Sequence, residues 1–315
     1  MLKCTIKQQK HSMSSTLIQM ALIMACGAGW RFLSPAGLSA DQTRTVLTSV
    51  VYYLFLPAMV LEVLWSADIG LKSFEFSVLG ASAVLSGLVA TWAVTTLFKF
   101  HDRQKGALIL AASFPNVTYL GLPVLEQTFG AWARSVAIQL DYFACGPLLF
   151  TIGITIARYY GRDDGGSKFI LSFLATPPFC AAITAVILNI NDIEAPAWLL
   201  GVLLKLSGAV VPIMLFSLGL ALKWESVRLR NTPYILPVIV IRLLLIPLLL
   251  IYLSQYLTME APSKAAAILD LSMPSMVLGI VFCDRYQLDS SLYAMAVTVT
   301  TLLSLLTLPF WYGML

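Results

Sequence analysis

The sequence predicts an all-α membrane protein of ten transmembrane helices, and three observations carry that reading. Apolar residues make up 59% of the 315 and charged ones 11%, with a mean hydropathy of +0.85, whereas a soluble domain has roughly a quarter of its residues charged. So few charges cannot cover the surface of a soluble core of this size. The apolar residues also gather into runs of about 20, the length that crosses a bilayer as a helix. Finally, two of these runs are interrupted by proline at matching places, Ser113-Phe114-Pro115-Asn116 and Ser272-Met273-Pro274-Ser275.

Taken in order, residues 1–15 form a polar N-terminal tail with Lys3, Lys7 and Lys10, and the first apolar run spans 16–33. Basic residues before an apolar run also describe a signal peptide. This run is long enough to span, however, and its loss would spoil the even count; Met13 is an alternative start. The further runs are 45–66, 76–98, 106–128, 132–158, 168–190, 197–222, 234–256, 263–283 and 291–313. Connections are short. The polar stretch around Gly161-Arg162-Asp163-Asp164-Gly165-Gly166-Ser167 reads as a linker, 160–167, between a first five-helix repeat, 16–159, and a second, 168–315.

Charge placement predicts orientation. The loops after the odd runs hold twelve Lys and Arg, among them Arg44, Arg103, Arg162, Lys223 and Arg285, against six on the other side. The positive-inside rule puts the richer side in the cytoplasm and both termini outside a cell (inner) membrane. Five runs per half insert the halves in opposite directions, an inverted repeat if they are homologous. Proline spacing agrees with this. Pro57 and Pro115 stand 58 residues apart, Pro212 and Pro274 stand 62 apart, and Leu56-Pro57-Ala58-Met59 echoes Val211-Pro212-Ile213-Met214.

The interruptions matter because proline lacks a backbone donor and clashes with the carbonyl four residues earlier. Hydrocarbon supplies no water to the freed carbonyls, so each break must be covered by protein or line a wet cavity. Helices restarting at mid-membrane point their positive ends inward, where an anion fits. Paired breaks in two halves of an apolar chain are the sequence-level pointer to a transporter site.

These words resemble the auxin efflux carrier family: Leu56-Pro57, Phe114-Pro115-Asn116 with Gly121-Leu122-Pro123, Met273-Pro274-Ser275 running on to Phe282 and Tyr286, and Leu308-Pro309-Phe310-Trp311-Tyr312. That family includes plant PIN carriers and many bacterial transporters of malonate or related acids. The resemblance covers essentially the whole chain. It implies ten spans, an inverted repeat, and broken fourth and ninth helices crossing at the membrane midplane beside the substrate. By position Pro115 and Asn116 would form the first crossover and Pro274 the second. The long cytosolic loop of the larger plant members is missing here, which favours a short, bacterial-type member.

Candidate substrate-binding residues are Pro115, Asn116, Thr118, Ser272, Pro274, Ser275 and Arg242, with the amide and hydroxyls as donors to a carboxylate and Arg242 attracting it. Arg242 could equally snorkel to the nearer surface. Ionisable groups inside spans are functional candidates. Asp270, four residues before Pro274, ranks first for proton or ion coupling. Asp141 and Lys205 lie at similar depth, which allows them to pair, and Glu62 reads as solvated near its span's outer end. Gly121 and Gly279 read as points of close helix approach. Ser113 lies near the first break. The five cysteines read as buried free thiols.

Function classes narrow accordingly. Phosphate-loop, zinc-hydrolase and nucleophile-elbow patterns are absent, so an enzyme is not expected, nor a cofactor or a metal. Lys and Arg sit in loops rather than in a patch, which argues against nucleic acid. Partners are the lipid bilayer and a small organic anion, a carboxylate, with H+ or Na+ as the coupling ion; a homodimer is left open. The expected function is a secondary carrier of small organic anions such as dicarboxylates, working by alternating access. The alternatives are a sodium-coupled organic anion symporter of the bile acid type, a transporter-like receptor, and, more weakly, a channel.

Overall fold

The structure is a computed structural model that describes residues 2–67, 69–162 and 175–315. The end of the expected linker, 163–167, and the start of the sixth run, 168–174, lie outside the described residues. What is described is all-helical, with one isolated backbone bridge.

Helix α1, Leu2–Leu33, carries the polar N-terminal stretch and the first apolar run as one helix. It is followed by α2 (Ala40–Trp65) and α3 (Leu71–Leu97). A first interrupted pair is α4 (Asp102–Ser113) with α5 (117–129). Then come α6 (Ala133–Tyr160), α7 (Pro177–Ile190), α8 (Ala197–Ser207), α9 (Val210–Ala221) and α10 (Leu229–Tyr256). The second interrupted pair is α11 (Ala261–Leu271) with α12 (Gly279–Arg285), and α13 (Ser290–Tyr312) closes the chain. Among the described residues six helices are long and apolar enough to cross a membrane: α2, α3, α6, α8 with α9, α10 and α13. Leu17–Leu33 and α7 are shorter apolar helices.

Helix ends follow local chemistry. At α2, Ser39 accepts from the Gln42 amide while the Gln42 side chain accepts from the Ser39 amide, a reciprocal cap. At α13, Asp289 accepts from the Leu292 amide at 2.9 Å.

Proline shapes the middles. Wide π-helical turns occupy Val51–Phe55, Val117–Gly121, Asp141–Cys145 and Ile241–Leu245, and each is followed by an X-Pro step, at Pro57, Pro123, Pro147 and Pro247. A fifth, Leu149–Gly153, follows Pro147. The ring evicts the carbonyl four residues back, and the turn before it widens by one residue. The carbonyl so freed by Pro247, that of Leu243, receives the buried Trp311 indole N–H at 2.8 Å.

The helices pack in two groups. One holds α1, α2, α7, α8 and α9; the other holds α3 to α6 and α10 to α13. In the first group α1 and α9 cross backbone against backbone. A Cβ on Gly27 would overlap the Phe216 carbonyl and one on Gly219 the Met24 carbonyl, so close an approach that only glycine fits either place.

Candidate functional site

The two breaks meet inside the second group. The Asn116 amide donates to Pro274 O at 2.9 Å and the Met276 amide to Phe114 O at 3.0 Å, an antiparallel bridge between Pro115 and Ser275. Three further backbone groups near the breaks also find partners. Met273 N–H donates to Asp270 O at 3.1 Å, Thr300 Oγ1 accepts from the Ser275 amide at 3.2 Å, and Tyr293 O–H donates to Met276 O at 2.6 Å. Arg242, fully buried on α10, reaches between the ends of α4 and α11. It donates to Ala112 O at 3.4 Å, Ser113 O at 3.2 Å and Leu271 O. One guanidinium thus closes the C-terminal ends of both interrupted helices, where a positive charge also suits the helix dipoles. The snorkelling expectation for Arg242 is overturned, because three carbonyls freed at the breaks hold it in the interior.

Beside the bridge lies a cavity of about 480 Å³ between the two groups of helices. Its walls are Tyr52, Tyr53 and Leu56 of α2, Asn116, Thr118 and Tyr119 of α5, and Asp141, Tyr142, Gly146, Leu149 and Phe150 of α6. Thr176, Pro177 and Pro178 at the start of α7, and Met276, Leu278, Val281 and Phe282 around α12, complete it. Phe150 and Phe282 meet edge to face with centroids 5.9 Å apart. Asn116 is 1% exposed and its Nδ2 has no hydrogen-bond partner. Thr118 O–H donates to the Asp141 carboxylate. Among the described residues Asp141 is the acid of the lining, and no Lys or Arg belongs to it.

Of the residues singled out from sequence, Asn116, Thr118 and Asp141 therefore come together on one cavity wall. Pro115, Ser272, Pro274 and Ser275 are buried behind them and form the bridge itself or its flank; Ser272 O–H donates to Ile268 O at 2.6 Å, and Ser275 Oγ has no partner. Asp270 is fully buried outside the lining, and neither carboxylate oxygen has a hydrogen-bond partner. It packs on the Cα of Gly121, where an added Cβ would overlap Oδ1. Gly279 similarly admits the Tyr293 ring. Both glycines thus sit at close approaches.

Lys205 does not pair with Asp141. It is exposed on α8, while Asp141 faces α5. Glu62 is not solvated either: its side chain is 14% exposed, 3.7 Å from Arg134, and accepts from Ser207 at 3.1 Å. Arg134 also pairs with Glu126. Of the cysteines, Cys145 and Cys283 are buried, whereas Cys26 and Cys180 are exposed.

Sequence reasoning missed the aromatic wall of Tyr52, Tyr53, Tyr119 and Tyr142. A signal was present. Tyr52 and Tyr142 stand five residues before a proline and Tyr53 and Tyr119 four, and so fall on turns that the prolines widen.

Comparison with known proteins places the chain among membrane transport proteins. The chain matches a family described as membrane transport proteins over residues 13–162 and 166–312. An uncharacterised transporter of Methanothermobacter thermautotrophicus is 28% identical over 305 residues, 95% of this chain and 98% of its own. Another, of Methanocaldococcus jannaschii, is 28% identical over 287 residues, 87% of this chain and 91% of its own.

Proposed function

Because the chain belongs to this membrane transport protein family, the auxin efflux carrier family that its sequence resembles, we propose that it is a secondary carrier of small organic anions. In this reading it works by alternating access, with the cargo beside Asn116. The observation that carries it is the position of the cavity. It lies where two separately packed groups of helices face each other, against the start of α5 and the unpartnered Asn116 amide. A helix N-terminus and an amide donor together suit one carboxylate.

The rest of the lining is mainly aromatic and aliphatic, and a second anionic charge would approach Asp141 with no cation among the described lining residues to offset it. The cargo we favour is therefore a monocarboxylate with an apolar body rather than a dicarboxylate. We take the two interrupted pairs together with the long and short apolar helices as ten crossings in a 5+5 inverted repeat, with the Lys- and Arg-rich face in the cytoplasm of the cell membrane. Asp141 and Asp270 are the groups we assign to a coupling cation, H+ or Na+. Asp270 is favoured by its two carboxylate oxygens left without hydrogen bonds in the interior.

Flux in proteoliposomes tests the proposal. Labelled benzoate should enter or leave vesicles holding the wild-type chain faster than malonate does, and Asn116→Ala should abolish the difference from empty vesicles. Imposed proton or sodium gradients then identify the coupling ion. Equal flux in empty and protein-containing vesicles for every acid tried would end the carrier reading.

A further inference from the structure

A second cavity, of about 280 Å³, adjoins the first and shares Tyr119, Leu278 and Val281 with it. Its other walls come from both groups of helices: Arg44 and Thr48 of α2, Ser217 of α9 and Lys223 just beyond it, and Asp284 of α12. Arg44 is half-buried, its Nε is sealed from solvent without an acceptor, and it makes no ion pair among the described residues. The acids nearest in sequence are taken elsewhere, since Asp41 and Glu225 each lie 3.6 Å from Arg31. Lys223 is half-buried and likewise makes no ion pair among the described residues. Ser217 is 2% exposed, and its hydroxyl has no partner. Against these donors stands one carboxylate, Asp284, exposed at the rim.

Two cations without counter-ions and a buried hydroxyl without an acceptor, all lining one cleft, have a common complement. We propose that Arg44, Lys223 and Ser217 form an oxyanion-binding site separate from the Asn116 cavity, made for a single carboxylate or phosphate group. A guanidinium accepts such a group in a fork, and a lysine adds a point charge. The hydroxyl supplies a third donor and relieves its own burial. A soluble organic anion and the phosphate of an anionic lipid headgroup offer the same chemistry. Binding there needs only this geometry; its use as a staging point from which an anion passes Tyr119 rests on the carrier reading.

The test needs no identified cargo. Thr48→Cys places a thiol on the cavity wall. Its reaction with an anionic methanethiosulfonate (ethylsulfonate) is compared with that of a cationic one (ethyltrimethylammonium), above the background of the unaltered chain. A unit charge roughly 6 Å away in a half-solvated cleft shifts such a rate on the order of tenfold, so the anionic reagent should win clearly. Arg44→Gln with Lys223→Gln should abolish that preference, while Arg44→Lys should retain it and so separates charge loss from misfolding. Benzoate or inorganic phosphate should slow labelling of the otherwise native chain but not of the double Gln variant. If only nanodiscs containing phosphatidylglycerol, and not those of phosphatidylcholine alone, slow it, the occupant is a headgroup. A reagent preference indifferent to both Gln substitutions, or one that no oxyanion or lipid protects, overturns the site. Absence of flux in proteoliposomes would count against the carrier reading alone.

Discussion

Arg242→Met tests how the two breaks are held. The substitution keeps most of the side-chain volume but removes the donors to Ala112 O, Ser113 O and Leu271 O, all deep in the interior. A buried carbonyl left unsatisfied costs about 1–3 kcal/mol. The bond to Ala112, at 3.4 Å, is long and counts for little, so the gross loss is about 2–6 kcal/mol. Deleting a buried charge returns about 1–2 kcal/mol of that, leaving a net destabilisation of about 1–4 kcal/mol. The effect should concentrate at the bridge, because the ends of α4 and α11 position it. Hydrogen exchange of the Asn116 and Met276 backbone amides should accelerate by roughly 5- to 700-fold, the factor that this free energy implies if the bridge opens locally. Arg242→Lys should fall between, since an ammonium cannot span both helix ends as the guanidinium fork does. Wild-type exchange at both amides in Arg242→Met would show that the guanidinium does not hold the breaks.

Other expectations follow from single contacts. Thr118→Val removes the hydroxyl that Asp141 accepts from; a double-mutant cycle with Asp141→Asn should give a coupling of about 1 kcal/mol or more in unfolding experiments, and zero coupling would exclude the bond. Gly279→Ala pushes a methyl into the buried Tyr293 ring, whose Cε2 would lie 2.9 Å away, and strains the hydrogen bond to Met276 O. It should cost about 2–4 kcal/mol, while Gly29→Ala, with nothing within 4 Å, should be neutral or slightly stabilising when the two denaturation midpoints are compared. Arg134→Gln leaves the largely buried Glu62 and Glu126 without their shared cation; the midpoint should fall by the equivalent of about 1–3 kcal/mol, and adding Glu62→Gln should restore part of it.

Both interruptions could be read from the chain because a proline inside an apolar run has one physical meaning: a carbonyl loses its donor where water is scarce. That the loose ends satisfy one another across Pro115 and Ser275 could not be read, since pairing between distant segments depends on how they are folded together. The fate of Arg242 was equally hidden. A charge in an apolar run either reaches a surface or finds partners inside, and those partners, three main-chain oxygens, carry no side-chain signature. Asp141 and Lys205 fail to pair because counting residues along a span predicts height but not the direction a side chain faces. Glu62 was misjudged for the same reason, its partners Arg134 and Ser207 belonging to other helices. The tyrosine wall was legible in principle, through its spacing from prolines.

The wide turns at Val51–Phe55, Val117–Gly121, Asp141–Cys145 and Ile241–Leu245 amount to spare length wound into the rods that surround the cleft. Drawing one such loop tight would screw everything beyond it by roughly 100°, swinging Tyr52, Tyr119, Asp141 or Arg242 to a new bearing while the rod stays intact. Such a change would re-aim the innermost side chains by rotation alone, and the prolines that hold the turns wide oppose it.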